Sequence, residues 1–198
     1  MRQRQSNVGQ CVIQALQGSL FCLVISLSAA VSVTNAAVLT VKTAVTEGSC
    51  QLSVPSAMTF SGQVPAQFAR NNWTADLKPL RVTVSDCQGM PGVTQRPAIK
   101  VTGSTLASRT MIFSEASSQA TNAGFMLREG EFTRLDSFYT EDTAPGGSIP
   151  TGAFSYEGEP GKTMNEGDRM YTLGFVSAGV LPSYGQVNAR LTFTFLYH

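Results

Sequence analysis

The chain has 198 residues, 42% hydrophobic and 14% charged, and its 14 Lys and Arg against 13 Asp and Glu give a formal net charge of +1. This balance excludes a disordered polymer, and it lacks the clustered cations with which a nucleic-acid binder neutralises phosphates. The single histidine, His198, is the last residue, a poor place for a catalytic triad or a metal site, so neither an enzyme nor a metal or cofactor is expected.

The first 36 residues read as a secretory signal peptide. Arg2 and Arg4 supply a positive start, an apolar stretch runs over 20–33, and Thr34-Asn35-Ala36 provides small residues for cleavage. An apolar core of about 14 residues, interrupted by Ser26, Ser28 and Ser32, falls short of the ~20 that a membrane span requires. No stable membrane insertion is therefore expected after its removal. Cleavage after Ala30, with Ser28 and Ala30 as the small pair, is the alternative, and the bulky Phe21 before Cys22 argues against lipoprotein processing. Loss of 1–36 takes two arginines and no acid, leaving 12 Lys and Arg against 13 acids.

From residue 37 onward, short apolar or β-branched alternations are broken by Gly, Pro, Asn and Asp, the pattern of an all-β sandwich. Strands are expected at 37–46, 52–60, 80–84, 98–103, 109–113, 124–128, 154–156, 170–176 and 187–197, with longer connections at 88–97 and 140–152 and no helix. Leu80, Val82 and Val84 share one parity while Arg81, Thr83 and Ser85 take the other, as a half-buried strand requires. Seven methionines and eleven phenylalanines read as core filling and signal-peptide content. The acids Glu129, Glu131, Asp136, Glu141 and Asp142 lack the spacing of a calcium loop and read as a solvated hairpin rim.

Two cysteines remain in the body, Cys50 and Cys87. In an exported protein such a pair is expected to be oxidised, closing a loop worth about 4 kcal/mol by the chain-entropy estimate. A zinc site lacks ligands, because there is no CxxC and no internal histidine.

The last strand carries the strongest pattern. Val187, Ala189, Leu191, Phe193, Phe195 and Tyr197 lie on one face, with Asn188, Arg190, Thr192 and Thr194 on the other. A long apolar strand at an edge recruits other chains unless something pairs with it. The segment 37–46 alternates in the same way, with Ala37, Leu39, Val41, Thr43 and Val45 on one face. Either both are core strands of a closed sandwich, or one is an acceptor edge and the other a donor strand for a different molecule.

Together these residues resemble the pilin subunits of chaperone–usher fimbriae over essentially the whole mature chain. Gly185 is fourteenth from the end, alternating hydrophobes follow, and Tyr197 is penultimate. Cys50 and Cys87 sit where that family places its disulfide, Cys87 closing the strand Leu80-Arg81-Val82-Thr83-Val84-Ser85-Asp86-Cys87. Ile99-Lys100-Val101-Thr102-Gly103, Ala123-Gly124-Phe125-Met126-Leu127 and Tyr171-Thr172-Leu173-Gly174-Phe175-Val176 are similar to further strands of the family.

The resemblance implies an incomplete immunoglobulin-like β-sandwich over 48–198 that lacks its last strand and is completed by donor-strand complementation. It implies a donor extension over 37–47, with Ala37, Leu39, Val41, Thr43 and Val45 as donor residues. The acceptor and chaperone-binding strand would be Gly185, Val187, Ala189, Leu191, Phe193, Phe195 and Tyr197. The implied partners are a periplasmic pilus chaperone, an outer-membrane usher and neighbouring pilin subunits, and the destination is the cell-surface fimbrium of a Gram-negative bacterium. Only 13 residues separate Ala36 from Cys50, which points to a minor subunit, and the chain departs from the family in having no glycine between Ala37 and Glu47. The other function class is a self-contained secreted binding module, lectin-like or a tip adhesin. A tip adhesin of this family carries a separate lectin domain, whereas about 162 mature residues accommodate one domain.

Overall fold

The computed structural model describes residues 48–107 and 109–198. The signal segment and the donor residues Ala37, Leu39, Val41, Thr43 and Val45 lie outside the described residues.

Among the described residues nine strands form two antiparallel sheets, and their labels follow chain order. The larger sheet is ordered β1-β2-β8-β6-β5-β4 and the smaller β7-β3-β9. The elements are β1 (Ser49–Ser53), β2 (Thr74–Gln88), β3 (Pro97–Thr102), β4 (Thr105–Leu106), β5 (Arg109–Phe113), β6 (Ala123–Glu129), β7 (Phe154–Glu157), β8 (Gly167–Ser177) and β9 (Thr192–Tyr197). This is the β-sandwich class expected from the sequence. An immunoglobulin-like sandwich short of one strand fits it, because β9 pairs only with β3, from Pro97↔Tyr197 to Thr102↔Thr192, and no described strand lies along its other edge.

The alternation along β2 does what its parity requires. Leu80, Val82 and Val84 are buried, and Leu80 faces Tyr171 of β8 across the ladder. Leu80, Val82 and Tyr171 pack with Val101, Phe113, Leu127 and Leu173 into one core between the sheets, each large one contributing on the order of 1.5–3 kcal/mol. A second cluster, Ile112, Met126, Phe138 and Val176, fills the far end of the larger sheet. Gly174 makes that packing feasible: a Cβ there would stand 2.1 Å from the ring of Phe138.

The disulfide joins Cys50 of β1 to Cys87 at the end of β2. It pins β1 to the edge of the larger sheet, where Cys50, Leu52 and Cys87 pack with Phe193 and Phe195 against Val84 and Ile99.

Four expectations are corrected. The strand expected at 80–84 starts at Thr74. Pro79, which has no N–H to give, is tolerated because β1 pairs with β2 only from Thr83 onward, so one side of β2 is free at that point. The strand expected at 52–60 is β1 and ends at Ser53, before Pro55. A helix does occur: α1 (Pro65–Arg70) has proline in its first turn, where a missing N–H costs nothing, and buries Phe68. Finally, the terminal strand joins the ladder at Thr192 and not at 187, because its partner β3 ends at Thr102. Upstream of Thr192 the chain instead follows the loop 114–121. The carbonyl of Asn188 accepts from the amide of Glu115 at 2.7 Å, and that of Gln186 accepts from Gln119 at 2.7 Å. The hydroxyl of Ser118 donates to the Asn188 carbonyl and accepts from its amide, both at 3.0 Å.

Candidate acceptor groove

That change of partner creates the site. Residues 185–193 run as one wall and 54–65 as the other, and between them lie two adjoining cavities of about 540 Å³ and 330 Å³. Met58, Phe60, Phe125, Val187 and Asn188 line both, so the two form one continuous groove. Its floor is aromatic. The rings of Phe60 and Phe125 are 5.1 Å apart, Phe125 stacks on Phe175 at 5.3 Å, and Phe68 meets Phe175 edge-on at 5.2 Å. Offset and edge-on pairs at these distances are favourable beyond the area they bury.

The walls carry unpaired main chain. Asn188 and Gln186 turn their bonding groups toward 114–121, so by strand alternation those of Val187 and Ala189 point the opposite way, into the groove. Among the described residues Val187 and Ala189 bond to no backbone partner, and neither do residues 56–63 across from them. An extended guest segment would therefore find donors and acceptors along an edge, together with an apolar and aromatic lining for its side chains. Electrostatics select the guest: among the described residues Arg190 is the one charged residue lining either cavity, so the groove favours an uncharged apolar face.

The structure divides the seven residues expected on the acceptor strand. Gly185, Val187, Ala189, Leu191 and Phe193 line the groove. Phe195 and Tyr197 do not. Phe195 packs toward the disulfide, and Tyr197 stands at the same end, its ring 3.1 Å from where a Cβ on Gly48 would be. The Tyr197 hydroxyl is buried without a partner among the described residues, and burial pushes its pKa up. Gly185 has a specific reason to be glycine: its φ is +143°, and a Cβ would lie 2.7 Å from the amide nitrogen of Ala120.

Sequence reasoning missed the second wall and the floor. Met58 and Phe60 were legible only as part of a strand at 52–60, and Phe125 and Phe175 as ordinary core positions. The available signal was Pro55, which interrupts that strand and frees the wall from the sheet. Elsewhere the expected solvated acids are at the surface, with Asp136 paired to Arg134 at 2.8 Å and Glu141 paired to Arg109. Among the described residues no His, Cys, Asp and Glu cluster into a metal-binding group, and no helix is long and apolar enough to cross a membrane.

No family model and no curated protein matches the chain. Among solved structures it is similar to the P pilus rod subunit PapA, at 14% identity and a TM-score of 0.47 over 81% of this chain and 99% of that one. It is also similar to an antigen and type I fimbria protein of Burkholderia pseudomallei, at 15% identity and a TM-score of 0.40 over 76% of this chain and 99% of that one. At these identities and scores neither neighbour lends a function or a residue role to this chain.

Proposed function

We propose that the chain is a structural subunit of a chaperone–usher adhesive fimbria, a minor subunit that polymerises by donor-strand exchange. One observation carries this reading: the groove has unpaired backbone on both walls and an aromatic floor, beside a terminal strand whose outer edge no described strand covers. A guest strand is the ligand such a groove fits. In the periplasm a chaperone strand fills it, and at an outer-membrane usher the extension 37–47 of a neighbouring subunit takes its place. The face Ala37, Leu39, Val41, Thr43 and Val45 is uncharged, with Lys42 on the opposite face, which suits a groove with one charge in its lining. Main-chain bonds to Val187 and Ala189 set the register, and each large donor side chain seated over Phe125 and Phe175 contributes on the order of 1.5–3 kcal/mol. The fibre so formed is non-covalent and long-lived, and it displays on the cell surface, supporting adhesion. It needs neither catalysis nor a cofactor.

Substitution of Leu191 or Phe193 by Asp tests the acceptor role. Both side chains are half-buried on the groove wall, so the charge is tolerated by the monomer but lies in the path of a guest strand. Export continues and incorporation into fibres fails, as read by surface labelling and by subunit content of sheared fibres. Normal incorporation of both variants contradicts the assignment. Deletion of 37–43 separates the roles: the shortened subunit still binds its chaperone but does not insert into a neighbour.

A further inference from the structure

Seven large apolar side chains are exposed among the described residues. One, Val54, lines the groove, and the other six gather at the two ends of the sandwich. Met90 and Val93, 83% and 88% exposed, occupy the loop that follows β2. Val64, Val180, Leu181 and Tyr184 surround the opposite end, where Gln63, Pro65 and 182–185 line the same cavity. Scattered apolar residues on a surface mean little. The loops that carry these are tied down by backbone and side-chain hydrogen bonds. In the first loop the amide of Gln95 donates to the carbonyl of Gly92 at 3.0 Å, that of Gly161 donates to Gln95 at 2.8 Å, and Arg96 and His198 exchange backbone bonds. At the other end the amide of Ala178 donates to Asn122 at 2.9 Å, and the Ser183 hydroxyl accepts from the amide of Thr121 at 2.9 Å.

We propose that these two ends form a second, body-to-body contact between successive copies of this chain, the Met90–Val93 tip of one seating on the Val64, Val180, Leu181 and Tyr184 rim of the next. The inference rests on the strand-exchange reading and adds a contact which that reading does not require.

Its geometry follows from where the described chain begins. Gly48 lies against Gln88 and Tyr197, at the Met90 end of the molecule, so residues 37–47 join the body there. At that end Cys50, Leu52, Phe193 and Phe195 pack together against Val84 and Ile99, and the lining of the groove reaches the other end at Pro65 and Tyr184. A segment of this chain turned back into its own groove would first have to pass along β1, about 17 Å for five residues of strand, leaving only about six of its eleven residues to occupy the groove. A neighbour's segment entering at the Pro65 and Tyr184 end fills the groove along its length and brings that neighbour's Met90 end against it. The contact is heterologous: two different surfaces meet, each copy keeps one of each free, and repetition gives an open fibre.

The test separates this contact from the groove. Val93→Glu and Leu181→Lys are made singly and together, since both side chains project from the folded surface. Each variant is purified without residues 1–36 and heated with and without a peptide of sequence 37–47, and each full-length variant is scored for surface fibres in cells. The single variants are stabilised by peptide as the unsubstituted chain is, yet yield fewer fibres, on the order of tenfold as for loss of one central apolar contact. The paired variant, with opposite charges facing across the junction, recovers most of the yield. Unchanged fibre yield in the single variants overturns the body contact while leaving strand exchange standing. A paired variant no better than the singles also overturns it, and assigns these tips to a chaperone or usher. An unsubstituted chain indifferent to the peptide overturns the groove reading and this inference with it.

Discussion

Strand β8 and the terminal segment 185–197 are written in the same chemistry and meet different fates. Both alternate large apolar residues with small or polar ones. β8 has β2 on one side and β6 on the other, and Tyr171, Leu173 and Val176 are buried. The terminal segment has β3 along its last six residues and the loop 114–121 before that. Its apolar members Val187, Ala189, Leu191 and Phe193 all remain half-buried, and its polar members Asn188, Arg190, Thr192 and Thr194 are exposed. Alternation thus marks a strand without saying how many neighbours it has. Incomplete burial of a well-patterned strand marks where the missing neighbour belongs.

The strongest way to break this comparison is to place the same charge in both regions. Leu127→Asp, across the ladder from Leu173 of β8 and with no exposed surface, removes more than about 4 kcal/mol, because an unpaired carboxylate is buried with no compensating bond. Denaturant unfolding of the purified chain reads this loss directly. Leu191→Asp, on the half-buried wall, leaves the monomer's midpoint close to that of the unsubstituted chain and abolishes its response to donor peptide. Equal destabilisation by the two substitutions would erase the distinction between a completed strand and a waiting one.

A smaller effect sharpens it. Cys50→Ser releases β1, the strand that leads into the second wall, and costs about 2–5 kcal/mol, the usual range for a native disulfide in a small exported domain. Added donor peptide recovers part of that loss, since a guest strand holds both walls. A deficit the same with and without peptide would place the disulfide's role in the core alone.

These regions also show what was legible in the sequence and what was not. The core face of β2, the strands β3, β5, β6, β7 and β8, and the alternation of the terminal strand all follow from parity, because each buries one or both faces against fixed neighbours. The short helix α1 was not legible. Six residues make fewer than two turns, too few for a helical period to show, and its one buried residue, Phe68, is an isolated signal. The first half of β2 was hidden by Pro79, whose exclusion from central strands applies only where both sides are paired. Of the groove, the sequence displayed the wall that is strongly patterned. The other wall bonds to nothing described over 56–63 and so leaves no periodic trace, and its floor residues Phe125 and Phe175 look like any core phenylalanine until the missing strand uncovers them.

The smallest effect is one of pH. Burial raises the pKa of Tyr171, while its hydrogen bond with Ser155, at 3.1 Å, acts the other way. With the folded pKa above the unfolded value, the neutral phenol favours the folded state. Its contribution is complete below about pH 10 and is lost as pH rises beyond that, when the unfolded chain ionises first. Tyr171→Phe costs about 0.5–1.5 kcal/mol near neutral pH for the lost bond and flattens the alkaline slope of stability. An unchanged slope in the variant assigns that slope to other groups.

The most direct measurement is thermal unfolding of residues 37–198, purified as monomer, with and without an excess of the peptide 37–47. A sandwich that lacks a strand takes up the peptide and melts at a markedly higher temperature. A stable monomer whose melting temperature ignores the peptide would mean that the groove is not a strand acceptor, and would contradict the account.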